Sequence, residues 1–191
     1  WILFSRFFCS FFNDRLFSRL FFDFGLRLTF PFSASENSKY GFVSSVAVGD
    51  WLTPEHGVRA GIKVGNYTYG NYDITTKGLS LDYLMNLSAL TTPGKTYERK
   101  RFEILGVAGL DILHRSYKGN SSMGLGVHMG ARAQYVIPNS IFQIYAEPRF
   151  YFMDAREQTA YTNNMFKSGA EMLFGLSLLP YQRVIPTGNQ A

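Results

Sequence analysis

The chain has 191 residues, a length typical of a single domain, which argues against a large two-lobed catalyst. Charged residues make up 17% and aromatic residues another 17%, a mix that is neither disordered nor collagen-like, and 18 Phe with 12 Tyr exceed what one core consumes. The formal charge is +5 with the basic residues scattered, so no nucleic-acid partner is expected, and the single cysteine, Cys9, excludes an internal disulfide and a multi-cysteine zinc site.

Residues 1–21, WILFSRFFCSFFNDRLFSRLF, form an aromatic-rich N-terminal segment. Its Phe and Leu residues spread all around a helical wheel, so the segment does not read as an amphipathic interfacial helix. Asn13-Asp14 has turn chemistry, and two strands flanking it would raise the strand count from eight to ten. Eight is the preferred count. The start at Trp1, without Met or a signal-like region, reads as a processed form or a part of a longer chain.

From residue 22 onward the dominant signal is alternation with period two, predicting strands at about 22–32, 41–52, 56–69, 77–90, 100–114, 122–136, 140–153 and 165–179. It is cleanest between Ser122 and Met153. There Leu125, Val127, Met129, Ala131, Ala133 and Tyr135 oppose Gly124, Gly126, His128, Gly130, Arg132 and Gln134. After the tight IPNS segment, Phe142, Ile144, Ala146, Phe150 and Phe152 oppose Gln143, Tyr145, Glu147, Arg149 and Tyr151. Strands of globular proteins average about 5–6 residues and membrane-spanning strands need about 9–11, so these have membrane length. The longest stretch without Asp, Glu, Lys or Arg, Ala133 to Ala146, contains Pro138 and is too short for a helical span.

The breaks alternate in size. Short ones, TPEHG at 53–57, IPNS at 137–140 and the moderate TTPGKTYE at 91–98, follow strands two, six and four, whereas longer polar loops are expected at 33–40, 70–77, 115–121 and 154–164. Short turns at one end and long loops at the other, with an even strand number, describe an all-β fold: an antiparallel up-and-down transmembrane β-barrel of about eight strands over residues 22–181. Residues 182–191 read as a polar periplasmic tail, which places both termini in the periplasm of a cell whose outer membrane holds the barrel.

A membrane barrel turns its apolar face to lipid, a soluble lipocalin-like carrier turns it inward, and charge balance separates the two. The polar faces carry Arg27, Arg59, Lys63, Arg132, Arg149 and Lys167 against Asp23, Asp82, Glu103, Asp111, Glu147 and Glu171. Charges enclosed in a narrow lumen need partners, whereas a solvated face has no such need, so this neutrality favours an enclosed lumen charge network in a membrane barrel. Gly25, Gly49, Gly61, Gly109, Gly124, Gly126, Gly130, Gly169 and Gly175 share that face and make room for large side chains. Eight strands leave an interior that side chains fill, so a plugged lumen is expected rather than a conducting pore. Phe24, Leu26, Leu28, Phe30, Val58, Ile62, Leu79, Leu81, Tyr83, Phe142, Phe150, Phe174 and Leu176 face lipid, and Trp51, Tyr83, Phe102, Tyr135, Phe152 and Tyr181 are candidates for interfacial girdles. Pro148 removes a ladder hydrogen bond, and a bulge near Glu147 would accommodate it.

Three segments carry a family resemblance. VAVGDWLTPEHGVRAGIKVG at 46–65, LDYLMNLSAL at 81–90 and RKRFEILGVAGLDIL at 99–113 resemble strands of the eight-stranded outer-membrane barrels of the outer membrane protein A type, especially its Bacteroidetes-like branch. The resemblance spans about residues 22–181 and implies a non-catalytic envelope protein without cofactors, whose partners are outer-membrane lipid, lipopolysaccharide and other outer-membrane proteins. Members often carry a peptidoglycan-binding domain after the barrel. Only ten residues follow Tyr181, which argues against peptidoglycan anchoring by this chain, and the aromatic start also departs from the pattern.

His114-Arg115-Ser116 resembles the His-x-Ser spacing of lipid A deacylase barrels, which makes His114 and Ser116 weak catalytic candidates, with Glu147 or Asp154 as the orienting carboxylate. A lipid A-modifying hydrolase is therefore the enzymatic alternative. A His beside a loop and a Ser in a turn are also ordinary. His56 and His128 lack companions at metal-ligand spacing, so no metal is expected, and GLGVHMG at 124–130 lies within an alternating strand rather than opening a helix. Tyr67, Tyr69, Asn71 and Tyr72 are surface-loop binding candidates, the DAREQTAYTNN loop is another, and Arg99, Lys100 and Arg101 at a short-turn end suit lipid headgroups. The combined expectation is a structural or interaction protein, an accessory subunit of a larger envelope complex.

Overall fold

A computed structural model describes residues 20–31, 38–69, 72–91, 100–117, 120–154 and 166–179. Eight strands follow one another: β1 (Leu20–Pro31), β2 (Ser38–Trp51), β3 (His56–Tyr69), β4 (Tyr72–Asn86), β5 (Phe102–Tyr117), β6 (Asn120–Val136), β7 (Phe142–Asp154) and β8 (Phe166–Leu178). Each pairs antiparallel with its chain neighbours, and β1 pairs with β8 from Phe22↔Leu178 to Pro31↔Gly169, closing an up-and-down barrel. Closure by eight strands leaves no free edge for two more, which excludes the ten-strand alternative. Residues 1–19 lie outside the described part.

Alternation decides which way each side chain points. Along β1, Phe21, Asp23, Gly25 and Arg27 are buried while Phe22, Phe24, Leu26 and Leu28 are exposed. On β4, β5 and β6 the charged or small residues again turn inward and Leu81, Leu110 and Met129 stand 56–59% exposed on the outside. So large a continuous apolar exterior is incompatible with water and fits a bilayer. The soluble-carrier alternative required the reverse, and the charged interior overturns it.

The strands run 12 to 17 residues, longer than a bilayer crossing demands. The excess corrects two expectations. Residues 72–76 belong to β4 and 115–117 to β5, and pairing continues to Tyr69↔Tyr72 and Tyr117↔Asn120. The loops expected at 70–77 and 115–121 are therefore mostly strand, because inter-strand hydrogen bonds persist beyond the apolar band when the side chains turn polar. At the opposite end, 87–90 is a short helix, α1 (Leu87–Leu90), rather than strand. Asn86 caps it, its side-chain oxygen accepting from the Ala89 amide at 3.1 Å.

The remaining turns follow their sequences. Thr53 Oγ1 accepts from the amides of Glu55 and His56 at 3.3 and 3.1 Å. In the β6–β7 turn Pro138 precedes Asn139, which adopts a left-handed φ of 57°, a conformation that Asn tolerates. Pro148 causes no bulge. The β6–β7 ladder lapses between Gly130↔Arg149 and Ala133↔Ala146 and resumes in the same register, while β7–β8 pairing runs through Pro148↔Met172. A local gap on one side suffices because only one ladder loses a donor there.

Candidate functional site: a filled lumen

The inward face contains two regions. At the turn end, where β1 begins and β8 finishes, Phe21, Leu84, Val107 and Leu179 form a buried apolar cluster with Trp51 packed against it. Phe21 and Trp51 rings lie 5.9 Å apart at 40°. The outer girdle expected at Trp51 is not formed by that residue; it faces inward because it continues the parity of Gly41, Val43 and Gly49 on β2. Phe21 lies against Gly49, where an added Cβ would overlap the ring, so glycine here is what admits the aromatic. Tyr83, Phe102, Tyr135 and Phe152 are exposed on the outer face, as an aromatic girdle requires, while Tyr181 lies outside the described residues.

The middle of the lumen is ionic. Arg59 is its hub: Nη1 donates to Asp23 at 2.8 Å, Nε to Asp82 at 2.7 Å and Nη2 to Glu147 at 3.2 Å. Arg132 forks onto Asp23 at 2.5 and 3.2 Å and lies 3.7 Å above the centre of the Tyr145 ring. Arg149 pairs with Glu147 and reaches Asp82 at 3.6 Å. His128 joins the cluster to the loop end, with Nε2 2.9 Å from Asp82 and Nδ1 3.3 Å from Asp111. Beyond it Lys63 pairs with Asp111, and Arg27 with Glu171 at 2.8 Å. Toward the turns, Gln134 donates to Glu103 at 2.6 Å.

Every charge expected in the lumen is thus buried and inward-facing, save Lys167, whose side chain lies outside the described residues. Two members escape the sequence reading. Alternation places His128 on the polar face with Gly126 and Gly130, but a neutral imidazole falls outside the count of formal charges that defines the network. Arg115 reads as loop, yet Asp111, Leu113 and Arg115 continue one buried parity on β5.

The other candidates scatter. His114 and Ser116 are exposed on the outer face of β5, on the far side of the wall from Glu147. Glu147 is fully buried against Arg59 and Arg149, so it cannot orient His114. The side chain of Asp154 lies outside the described residues. Tyr67, Tyr69 and Tyr72 are strand positions rather than loop positions, because β3 and β4 pair to their ends, and Asn71 is outside the described part. Lys100 and Arg101 are exposed, and Arg99 is not described. His56 Nδ1 lies 2.5 Å from the Tyr83 hydroxyl at the turn end. Among the described residues no group of three or more His, Cys, Asp or Glu could hold a metal ion.

An apolar recess of about 1030 Å³ has Val48, Ala60, Leu81, Leu110, Val127 and Phe152, one register row, along its lining, together with the inward-facing Asp111 and Gly126.

No protein-family model matches the chain, and a search of curated proteins finds no match. Solved structures do. The crystal structure of Neisserial surface protein A superposes with a TM-score of 0.55 at 15% identity, covering 84% of this chain and 96% of that one. A major outer membrane protein from Thermus thermophilus gives 0.49 at 15% identity, with 83% and 98% covered. The N-terminal β-barrel domain of Pseudomonas aeruginosa OprF gives 0.47 at 13%, with 83% and 97% covered. With its closed eight-strand order, apolar exterior and charged interior, the chain has the fold of the eight-stranded outer-membrane β-barrels.

Proposed function

We propose that this protein is a non-catalytic barrel of the bacterial outer membrane, with the start of β1 and the end of β8 on the periplasmic side and a structural or docking role as accessory subunit of a larger envelope complex. One observation carries the reading: the cylinder is filled by its own paired charges and apolar cluster while its exterior is a belt of exposed apolar side chains. Such a body offers lipid a wall and offers neighbours two rims, but gives a solute no conduit. Outer-membrane lipid and lipopolysaccharide are its surroundings, and other outer-membrane proteins its partners.

The test has three readouts. Washed membranes extracted with detergent are expected to yield a band that runs faster unboiled than boiled; a soluble protein without that shift would remove the membrane reading. Photo-cross-linkers placed at exposed rim residues Leu52 and Lys100 are expected to trap a defined envelope protein, and recovery of monomer alone would defeat the accessory role. Ser116→Ala is expected to leave lipid A acylation unchanged, and a retained acyl chain in that variant would restore the hydrolase alternative.

A further inference from the structure

Arg115 breaks the pairing rule of the lumen. The other described inward-facing cations each have a carboxylate: Arg27 has Glu171, Arg59 and Arg132 share Asp23, Lys63 has Asp111 and Arg149 has Glu147. Among the described residues Arg115 has none, although it is only 6% exposed. Its Nε and Nη2 are buried without an acceptor. Those two nitrogens form the side-on edge of the guanidinium, whose parallel N–H bonds match two oxygens of one anion.

A third orphan lies beside them. Thr76 stands directly opposite Arg115 in the β4–β5 register, is 6% exposed, and has a buried hydroxyl without a partner. Opposed residues of an antiparallel pair bring their Cβ atoms to about 4.5–5.5 Å. On the other flank Arg115 pairs with Ser122, and Gly124, next on that face, carries no side chain. Buried donors without acceptors are rare and costly, and a guanidinium does not escape by losing its proton. Among the described residues of this end of the lumen, Asp111 is engaged by Lys63 and His128, and Glu171 by Arg27. Arg115 is two residues from the end of β5, at the loop-end mouth of the lumen.

We infer that Arg115 and Thr76 form an oxyanion site at this mouth and that its ligand is a phosphate group. Two phosphate oxygens meet Nε and Nη2 of Arg115, and a third accepts from the Thr76 hydroxyl. A phosphate gives each of the three donors an oxygen of its own, whereas a carboxylate would have to share one oxygen between two of them, as Asp23 does. The phosphate is either free in solution or borne by a lipid or lipopolysaccharide headgroup.

Arginine Nε–H signals of the full chain in phosphate-free detergent test this, with the Arg115 signal identified by its loss in Arg115→Lys. Inorganic phosphate is titrated against chloride at constant ionic strength. The expected result is a saturable shift of that signal, with binding weakened about fivefold in Thr76→Val, one hydrogen bond's worth. In a second arm the barrel is placed in nanodiscs of phosphate-bearing lipopolysaccharide or of a phosphate-free glycolipid. A shift in the first nanodisc alone, without response to free phosphate, supports the site and assigns its ligand to the headgroup. A signal unmoved in both arms overturns it. Thr76→Val must retain the faster-running unboiled band, which separates lost binding from a lost fold.

Discussion

The two halves of the lumen are closed by different physics. At the turn end Phe21, Leu84, Val107, Leu179 and Trp51 exclude water by contact, an interaction without direction in which one hydrocarbon surface replaces another. Further into the barrel, Arg59, Arg132 and Arg149 meet Asp23, Asp82 and Glu147 through hydrogen bonds whose geometry is fixed atom by atom. The contrast teaches that a narrow barrel can be filled with either kind of side chain, but with unequal tolerance for change. In the apolar half volume matters most; in the ionic half the identity of each partner does.

Four substitutions press on that difference, and reversible unfolding in lipid vesicles reads each. Arg59→Met leaves three buried carboxylates short of their common partner and is expected to cost about 3–5 kcal/mol; a loss under about 1 kcal/mol would show that the hub is dispensable. Phe21→Ala empties the space beside Gly49 and is expected to cost about 3 kcal/mol, because the wall cannot collapse into it. Arg59→Lys keeps the charge but loses the fork that serves three carboxylates, an expected cost of about 2 kcal/mol. Leu84→Met, which conserves volume, is expected to cost less than about 1.5 kcal/mol. If Leu84→Met proved more damaging than Arg59→Lys, the assignment of tolerant and intolerant halves would be reversed.

The barrel and most of its lumen were legible because one variable, parity, encodes both strand and side. Alternation puts Asp23, Arg27, Arg59, Lys63, Asp82 and Arg132 on one face, and their charge balance puts that face inside. What alternation does not encode is where a strand stops. Polar residues such as Thr75, Thr76 and Arg115 read as loop, yet a hairpin continues as long as backbone groups find each other across the pair, and the misplaced end hid Arg115. Girdle assignments failed where an aromatic near a strand end lay on the inner parity, as Trp51 does. Pairings escaped as well: nothing in the spacing says that Asp23 serves Arg59 and Arg132 together, since three strands meet there only once the cylinder closes.

The seam between β1 and β8 has a consequence in time. Asp23 lies 109 residues before Arg132, and Leu179, a member of the apolar cluster, follows the last strand. Neither filling is complete until the two ends of the barrel have met, so the growing sheet carries unmatched carboxylates and guanidinium groups on a surface that no lipid will accept. Long-range pairing of this kind is slow to form. An assembling chain therefore has to keep its concave face wetted until β8 docks, and expulsion of that water marks the end of insertion rather than its beginning.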